Sequence, residues 1–299
     1  MLSQERESLR LFNSAYTATG NNQSFSSSYN SSFTSSTSST RPRPPPTQSV
    51  IFDNHSIPIV DYGYIDNLYI GLQRNPITVA QTVLRYYEAF KRTGNENALH
   101  VLINNSNWLA ENAVNHGNYS IFEYKFPYPI YGMKPIWRSG MAQGQGVQAL
   151  IKAFQITGEN KYLEAAKKLL NSFFVEVKNG GVTYKNPKQG WWYEEYASTT
   201  GNQSRVLNGM IYTVLGIYDY YNLTHDSIAK FLFDQGVLAL KNNLRYYDNN
   251  GYSYYDILGK VSPRLYHLTH IGLLQKLYNV AKDPTFKFYL DRWKNHSTP

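Results

Sequence analysis

Apolar residues recur at three- and four-residue spacing over long stretches of the chain. The clearest stretch sets Val206, Leu207, Met210, Ile211, Val214, Leu215 and Tyr218 on one face of a helix. A second, at Leu163, Ala166, Leu169, Leu170 and Phe173, predicts another helical face. Between such stretches the chain repeats a short signature, an aromatic residue, two further residues and then usually Thr. It reads FKRT from Phe90, FQIT from Phe154, YNLT from Tyr221 and YNVA from Tyr278, followed by GNEN, GENK, HDS and KDP. The pattern predicts helix, short turn, helix, four times over. Thr93, Thr157, Thr224 and Ala281 lie 64, 67 and 57 residues apart, too long for helical solenoids of about 34 residues per repeat.

The excess length falls in connections after each second helix, over about 113–140, 175–204 and 245–264. Hairpins with short turns at one end and long loops at the other pack into an arc or toroid. All the long loops then share one rim. These loops hold YPIYGMKPIW, GWWYEEY and GYSYYD, so three aromatic loops are expected to build a cleft, with GWWYEEY read as loop. The predicted class is all-α, an incomplete α/α toroid of about four helical hairpins over residues 51–299. Residues 1–50 include SFSSSYNSSFTSSTSSTRPRPPPTQS, too poor in apolar surface to fold, and are expected to form a flexible tail.

Composition narrows the chemistry. The 27 Tyr against 14 Phe supply rings with a hydroxyl, suited to gripping sugars as well as to lining helix faces. A formal charge of +8 suits an acidic partner, yet no block of basic residues forms a nucleic-acid arm. Cysteine is absent, so disulfides and cysteine nucleophiles are excluded. No apolar run is long enough to span a membrane, and the opening MLSQERESLRLF lacks a signal-peptide core. Sequons at Asn22, Asn30, Asn54, Asn104, Asn118, Asn202, Asn222 and Asn295 hint at a glycosylating or extracytoplasmic compartment, though Asn- and Ser-rich chains match that pattern by chance.

Five motifs, WRSGMAQGQ (137–145), WYEEY (192–196), VLNGMIY with GIYDY (206–220), YYD (254–256) and YHLTHI (266–271), stand in the order and approximate spacing of the D-glucuronyl C5-epimerases. The chain resembles the helical C-terminal domain of that family over about residues 60–295. The resemblance implies inversion of C5 of glucuronic acid to iduronic acid within a heparosan-like polysaccharide, on an α/α toroid, with no cofactor or metal. It implies catalytic roles for Glu195, Tyr196, Tyr255 and Tyr266. Animal members carry a β-rich domain before the helices that helps build a homodimer, and residues 1–50 cannot supply one.

That chemistry needs an acid–base group on each face of C5 and donors that strengthen as charge builds on the neighbouring carboxylate. Glu195, walled by Trp191, Trp192, Tyr193 and Tyr196, is expected to be partly desolvated with a raised pKa. Tyr266 is expected on the opposite face, with Tyr196 and Tyr255 donating to the substrate carboxylate. Glu194 is expected to be solvated or a hydrogen-bonding partner. Trp137, Arg138 and Arg205 begin helices at the rim, where guanidinium and helix dipole favour an anionic sugar. Gln143 and Gln145 either bond the polymer or cap and pack a helix, and Gly144 and Gly209 are read as sites of close helix approach. Asn186, Trp192 and Asn208 complete the expected substrate-binding set with His267. That histidine and His270, at i and i+3, lack a third metal ligand and are either structural or sugar-contacting. Two rivals remain at this stage: a uronate lyase on the same fold and a non-catalytic acidic-glycan-binding protein.

Overall fold

The computed structural model describes residues 49–201 and 203–296. The tail expected over residues 1–50 lies outside them except for Ser49 and Val50, which already belong to a strand, and so does Asn202. Among the described residues there are eight α-helices in four hairpins: α1 (Pro76–Thr93) with α2 (Glu96–Asn112), α3 (Gly140–Thr157) with α4 (Asn160–Asn171), α5 (Leu207–Thr224) with α6 (Ser227–Asn243), and α7 (Arg264–Ala281) with α8 (Pro284–Lys294).

The repeated signature is the chemistry of the tight turn. Gly94, Gly158, His225 and Lys282 each take the left-handed conformation just past the first helix, with φ of 66°, 70°, 54° and 55°. Their N–H groups donate to the carbonyls of Phe90, Phe154, Tyr221 and Tyr278, the aromatic residues of the signature. These are αL caps, satisfying carbonyls the helix leaves open. In three repeats the threonine hydroxyl donates back to the preceding turn and accepts from the N–H of the next helix's cap, as Thr93 does to Ala89 and from Asn95. Asn95, Asp226 and Asp283 then cap α2, α6 and α8 through their side chains.

Helices α1, α3, α5 and α7 pack side by side as an inner layer, and each is backed by its hairpin partner. Helices α3 and α5 are covered on most sides, and their apolar residues run almost around the axis. Among the described residues α7 makes no substantial contact with α1, so the ring is open, an incomplete α/α toroid. The closest crossing joins α3 to α5: a Cβ on Gly144 would stand 2.5 Å from Thr213 Cα, and one on Gly216 would stand 2.2 Å from Gly144 O. Neither helix can yield there without losing its other contacts. Gly144→Ala is therefore expected to lower stability by about 1–3 kcal/mol, read as a drop in urea midpoint at unchanged m-value.

Short antiparallel strands trim the loops. β1 (Ser49–Phe52), β2 (Pro58–Asp61) and β5 (Leu72–Gln73) form a three-stranded sheet in the order β1-β2-β5, and β3 (Tyr64–Ile65) pairs with β4 (Leu68–Tyr69). The connection from α2 to α3 holds β6 (Val114–Asn115) and β7 (Ser120–Ile121). That from α4 to α5 holds β8 (Thr183–Asn186) and β9 (Gly190–Tyr193), and that from α6 to α7 holds β10 (Asp248–Asn249) and β11 (Tyr252–Ser253). These three connections are the long ones expected, and they interlock. Arg138 and Ala197 exchange backbone hydrogen bonds, Ile257 N–H donates to Ser204 O, and the Tyr131 hydroxyl donates to Asp256 Oδ2 at 2.9 Å.

Candidate active site

The stretch read as a loop at GWWY is strand β9, paired with β8 in the register Tyr184 to Trp192 and Lys185 to Trp191. Aromatic residues suit strands, and alternation is hidden because both faces carry rings. Trp191 turns toward Phe174 and Phe231, with centroids at 5.7 and 5.2 Å, while Trp192 stacks on Tyr247 at 5.9 Å. Gly190 (φ 86°) lies against α6, where a Cβ would stand 2.4 Å from Gln235 O. The strand ends as Glu194 is clamped through its backbone, its N–H donating to Val182 O and its carbonyl accepting from Gly140 N–H, both at 2.7 Å.

The two glutamates then diverge. Glu194 is wholly buried, not solvated, and fully engaged: Oε1 accepts from the Ser204 hydroxyl at 3.0 Å and the Tyr196 N–H at 3.4 Å, and Oε2 from the Arg205 N–H at 3.0 Å. Arg205 adopts φ 44° to aim that N–H, a left-handed conformation that costs a non-glycine residue on the order of 1 kcal/mol. Glu195 is also buried, and its Oε2 has no hydrogen-bond partner. Its carboxyl rests on the first turn of α5, where a Cβ on Gly209 would fall 2.0 Å from Oε2. Gly209 thus admits a carboxylate, where close helix approach was expected of it.

Burial pushes the Glu194 carboxyl up to about 7, against the pull of its donors at Arg205, Ser204 and Tyr196. Burial, and then the charge of Glu194, push Glu195 up to about 8, offset only by a hydrogen bond from the Tyr196 side chain. Of the pair, Glu195 is the weaker acid because Glu194 holds the donors.

Tyr196 stacks on Tyr128 at 5.1 Å and meets the tilted ring of Tyr131 at 5.0 Å. The carbonyl of Tyr255 accepts from the N–H of Leu207, the first residue of α5, tying this tyrosine to the same helix end. Its ring meets that of Tyr266, in the first turn of α7, edge to face at 5.2 Å. Both hydroxyls are buried without partners, and burial holds the Tyr266 phenol well above its ordinary range. The Lys260 ammonium lies 5.5 Å from the Tyr255 ring centre. Asn208 Oδ1 and Trp192 Nε1 are likewise buried and unpartnered. The starts of α5 and α7 therefore carry Glu195, Asn208, Tyr255 and Tyr266 with buried, unpartnered polar atoms, and Asn75, Thr78 and Gln81 carry others at and along α1.

Other expected binding residues belong to the scaffold. The Trp137 ring stacks on Tyr124 at 3.9 Å and its indole N–H donates to Phe126 O at 2.8 Å, leaving nothing to offer a sugar. Arg138 pairs with Glu123 at 2.6 Å. Gln143 accepts from Phe122 N–H and donates to Ser120 O and Ser172 Oγ, and Gln145 accepts from Gln81 between α3 and α1. Asn186 accepts from the N–H groups of Lys188 and Gln189, closing the exposed β8–β9 turn. His267 Nδ1 accepts from Ser253 N–H at 3.1 Å, which fixes Nε2 as the donor to Trp293 O, and its ring is covered by Tyr252 at 3.8 Å. Each of these six, expected to bind substrate, has a structural partner within the fold, and Arg138 Nε stays buried without one. Arg205 stays at the site: its guanidinium is partly exposed, and no carboxylate ion-pairs with it among the described residues. Among the same residues, no three His, Asp or Glu side chains gather as a metal site, and no helix is long and apolar enough to cross a membrane.

Sequence reasoning missed Ser204, which holds Glu194, and Tyr247, whose hydroxyl donates to Arg205 O at 2.6 Å. It also missed the Tyr131–Asp256 link. The Tyr247 and Tyr131 contacts join loops 42 and 125 residues apart, and Ser204 reaches back ten residues within its own connection.

A family model described as the D-glucuronyl C5-epimerase C-terminus matches residues 115–295. The chain belongs to the D-glucuronyl C5-epimerase family. The Caenorhabditis elegans D-glucuronyl C5-epimerase is 32% identical over 244 residues, 74% of this chain but 37% of the worm protein. An uncharacterized protein of Methanocaldococcus jannaschii is 30% identical over 260 residues, 81% of this chain and 83% of its own length. Two solved structures share the fold at low identity. One is an unsaturated glucuronyl hydrolase specific for heparin (TM-score 0.53, 14% identity, 75% of this chain and 62% of that one). The other is an α-mannanase from Bacteroides thetaiotaomicron (TM-score 0.51, 15% identity, 71% and 55%). The glutamates, Asn208, Tyr255 and Tyr266 all fall within the matched epimerase segment.

Proposed function

We propose that this protein inverts C5 of D-glucuronic acid to L-iduronic acid within an acidic, heparosan-like polysaccharide. The observation that carries this reading is the set of buried, unpartnered polar atoms at the starts of α5 and α7: Glu195 Oε2, Tyr255 OH, Tyr266 OH and Asn208 Oδ1. Leaving such atoms unpaired costs about 1–3 kcal/mol each, and a bound sugar would satisfy them.

Glu195 is the base. A carboxylate whose proton affinity lies near neutral pH is matched to removing a carbon-bound proton. Loss of the C5 proton moves charge onto the uronate carboxylate as an enediolate, and three features favour that charge: the Tyr255 hydroxyl, the Arg205 guanidinium and the positive end of α5. Tyr266, a neutral phenol, returns a proton to C5 from the other face. One passage leaves the proton on Glu195 and a phenolate at Tyr266, and the reverse passage or exchange with water restores both. Tyr196, which hydrogen-bonds Glu195, orients the base. Asn208 and the Trp192 indole N–H are placed to bond sugar hydroxyls.

Incubation with heparosan in D₂O tests the reading. Deuterium at C5 together with iduronate signals in NMR, at unchanged chain length, is the expected result. Ultraviolet absorbance of an unsaturated product would instead mean lyase chemistry. Binding of uronate polymers with no label in any of them would mean a glycan-binding protein and end the proposal.

A further inference from the structure

We infer that Glu194 is the acid of the pair that ionises first, that its charge strengthens Glu195 as a base, and that the left-handed Ser204–Arg205 turn holds that carboxylate in place. The inference rests on Glu195 being the working acid–base group, as proposed above, and it gives the neighbouring acid a role of its own.

Geometry carries it. The backbone of Glu194 is fixed at both ends, by Val182 O and by the N–H of Gly140 at the start of α3. Its carboxylate receives three donors, the Ser204 hydroxyl and the N–H groups of Tyr196 and Arg205. Every one of them favours the ionised form. Arg205 reaches it from left-handed backbone, and the Tyr247 hydroxyl secures the same turn through Arg205 O. So much constraint around one acid, beside a second acid whose Oε2 has no partner, separates two chemically identical side chains into a charge and a proton carrier. Environments that push neighbouring carboxyls apart in proton affinity are how acid–base roles are assigned in enzymes.

The ionisable groups around the pair are few. Glu195 faces Glu194 and Tyr196 on its own segment and Tyr212 on α5. Glu194 faces Arg205 from the turn, Tyr184 from β8 and Tyr247 from the loop after α6, and Asp256 acts on Tyr247. The tyrosines stay neutral, since burial raises all three of Tyr184, Tyr212 and Tyr247. Arg205 is the cation among these groups; its charge draws Glu194 toward the ionised form, and its backbone N–H is turned to the same carboxylate. The charge that Glu195 feels is therefore governed by Glu194.

The decisive variant is Glu194→Gln, read without turnover. In infrared difference spectra against Glu195→Gln, the carbonyl stretch of protonated Glu195 should disappear with rising pH in the wild type. In Glu194→Gln the same band should titrate about one pH unit or more lower. In kinetics, the acid limb of kcat should move to lower pH by the same amount, with the plateau reduced about threefold to tenfold because a weaker base removes the proton more slowly, and with KM little changed. If Glu194→Gln does not fold, Ser204→Ala replaces it. Removing one donor raises Glu194's own hold on a proton, so the Glu195 band should again move to lower pH. An unmoved Glu195 titration in a folded variant overturns the inference even where epimerisation is established. A shifted titration in a protein that labels no uronate leaves the charge relation standing and removes the epimerase reading instead.

Discussion

Glu195→Gln should abolish C5 exchange while making the protein more stable at neutral and alkaline pH. Losing the base proposed to remove the C5 proton is expected to cost about 10²–10⁴-fold in kcat, with substrate binding changed far less. The stability gain follows from proton linkage. The unfolded chain holds Glu195 at an ordinary value of about 4.3, whereas burial and the Glu194 charge raise it to about 8 in the fold. A raised carboxyl contributes its full share of stability below about pH 4.3 and loses it as pH climbs to about 8. Gln cannot ionise, so the variant escapes that loss. Each tenfold in proton affinity is worth about 1.4 kcal/mol, so the difference should amount to a few kcal/mol at about pH 8 and fade below about pH 5. Urea unfolding across that range, paired with deuterium uptake at C5, measures both. A variant retaining a tenth of wild-type turnover, or a stability difference flat with pH, would contradict the role of this side chain.

The fold was largely legible because its repeat is written in turn chemistry. An aromatic residue, two more, usually threonine and then a short polar or charged cluster is a local grammar, and it marks all four hairpins in the sequence, even where Glu159 stands at the cap position and Ala281 replaces the threonine. His225 and Lys282 show its tolerance, since they occupy the αL position where Gly94 and Gly158 stand in the other repeats. The apolar period does not separate inner from outer helices, because helices covered on most sides, like α3 and α5, lose the polar stripe that marks a face.

The site was legible in part, and the division is physical. Glu195, Tyr255 and Tyr266 stood out through motif order, and each keeps an unpartnered polar atom in the fold. Trp137, Gln143, Gln145 and His267 carried equally suggestive chemistry in the sequence. The Trp137 indole N–H, both ends of the Gln143 amide, the Gln145 Oε1 and both His267 ring nitrogens are occupied by backbone or by another side chain. Residue type says what a group could bind, whereas its partners say whether it is still free to. Those partners lie from 11 to 64 residues away, beyond the reach of a local motif. Glu194 and Glu195 make the same point at its sharpest: adjacent and identical, they are separated only by Ser204, Arg205 and Gly209, at least nine residues downstream.

Tyr266→Phe is expected to lower kcat by about 10²–10⁴-fold, leave KM nearly unchanged, and raise stability slightly. The three outcomes share one cause. The hydroxyl is buried with no partner in the free protein, so the fold gains nothing from it, and removing it should stabilise the chain by about 1 kcal/mol. The ring keeps its edge-to-face contact with Tyr255, so the shape presented to a sugar is preserved and ground-state binding with it. Only the proposed proton return to C5 is lost, which places the whole effect on turnover. In D₂O the variant should also separate the two faces of the reaction: Glu195 would still exchange the C5 hydrogen of glucuronate slowly without forming iduronate. Equal losses in kcat and binding would make Tyr266 a substrate contact, and a drop in unfolding midpoint would show that its hydroxyl serves the fold. Neither result is compatible with a phenol held ready for a carbon on the far side of the sugar from Glu195.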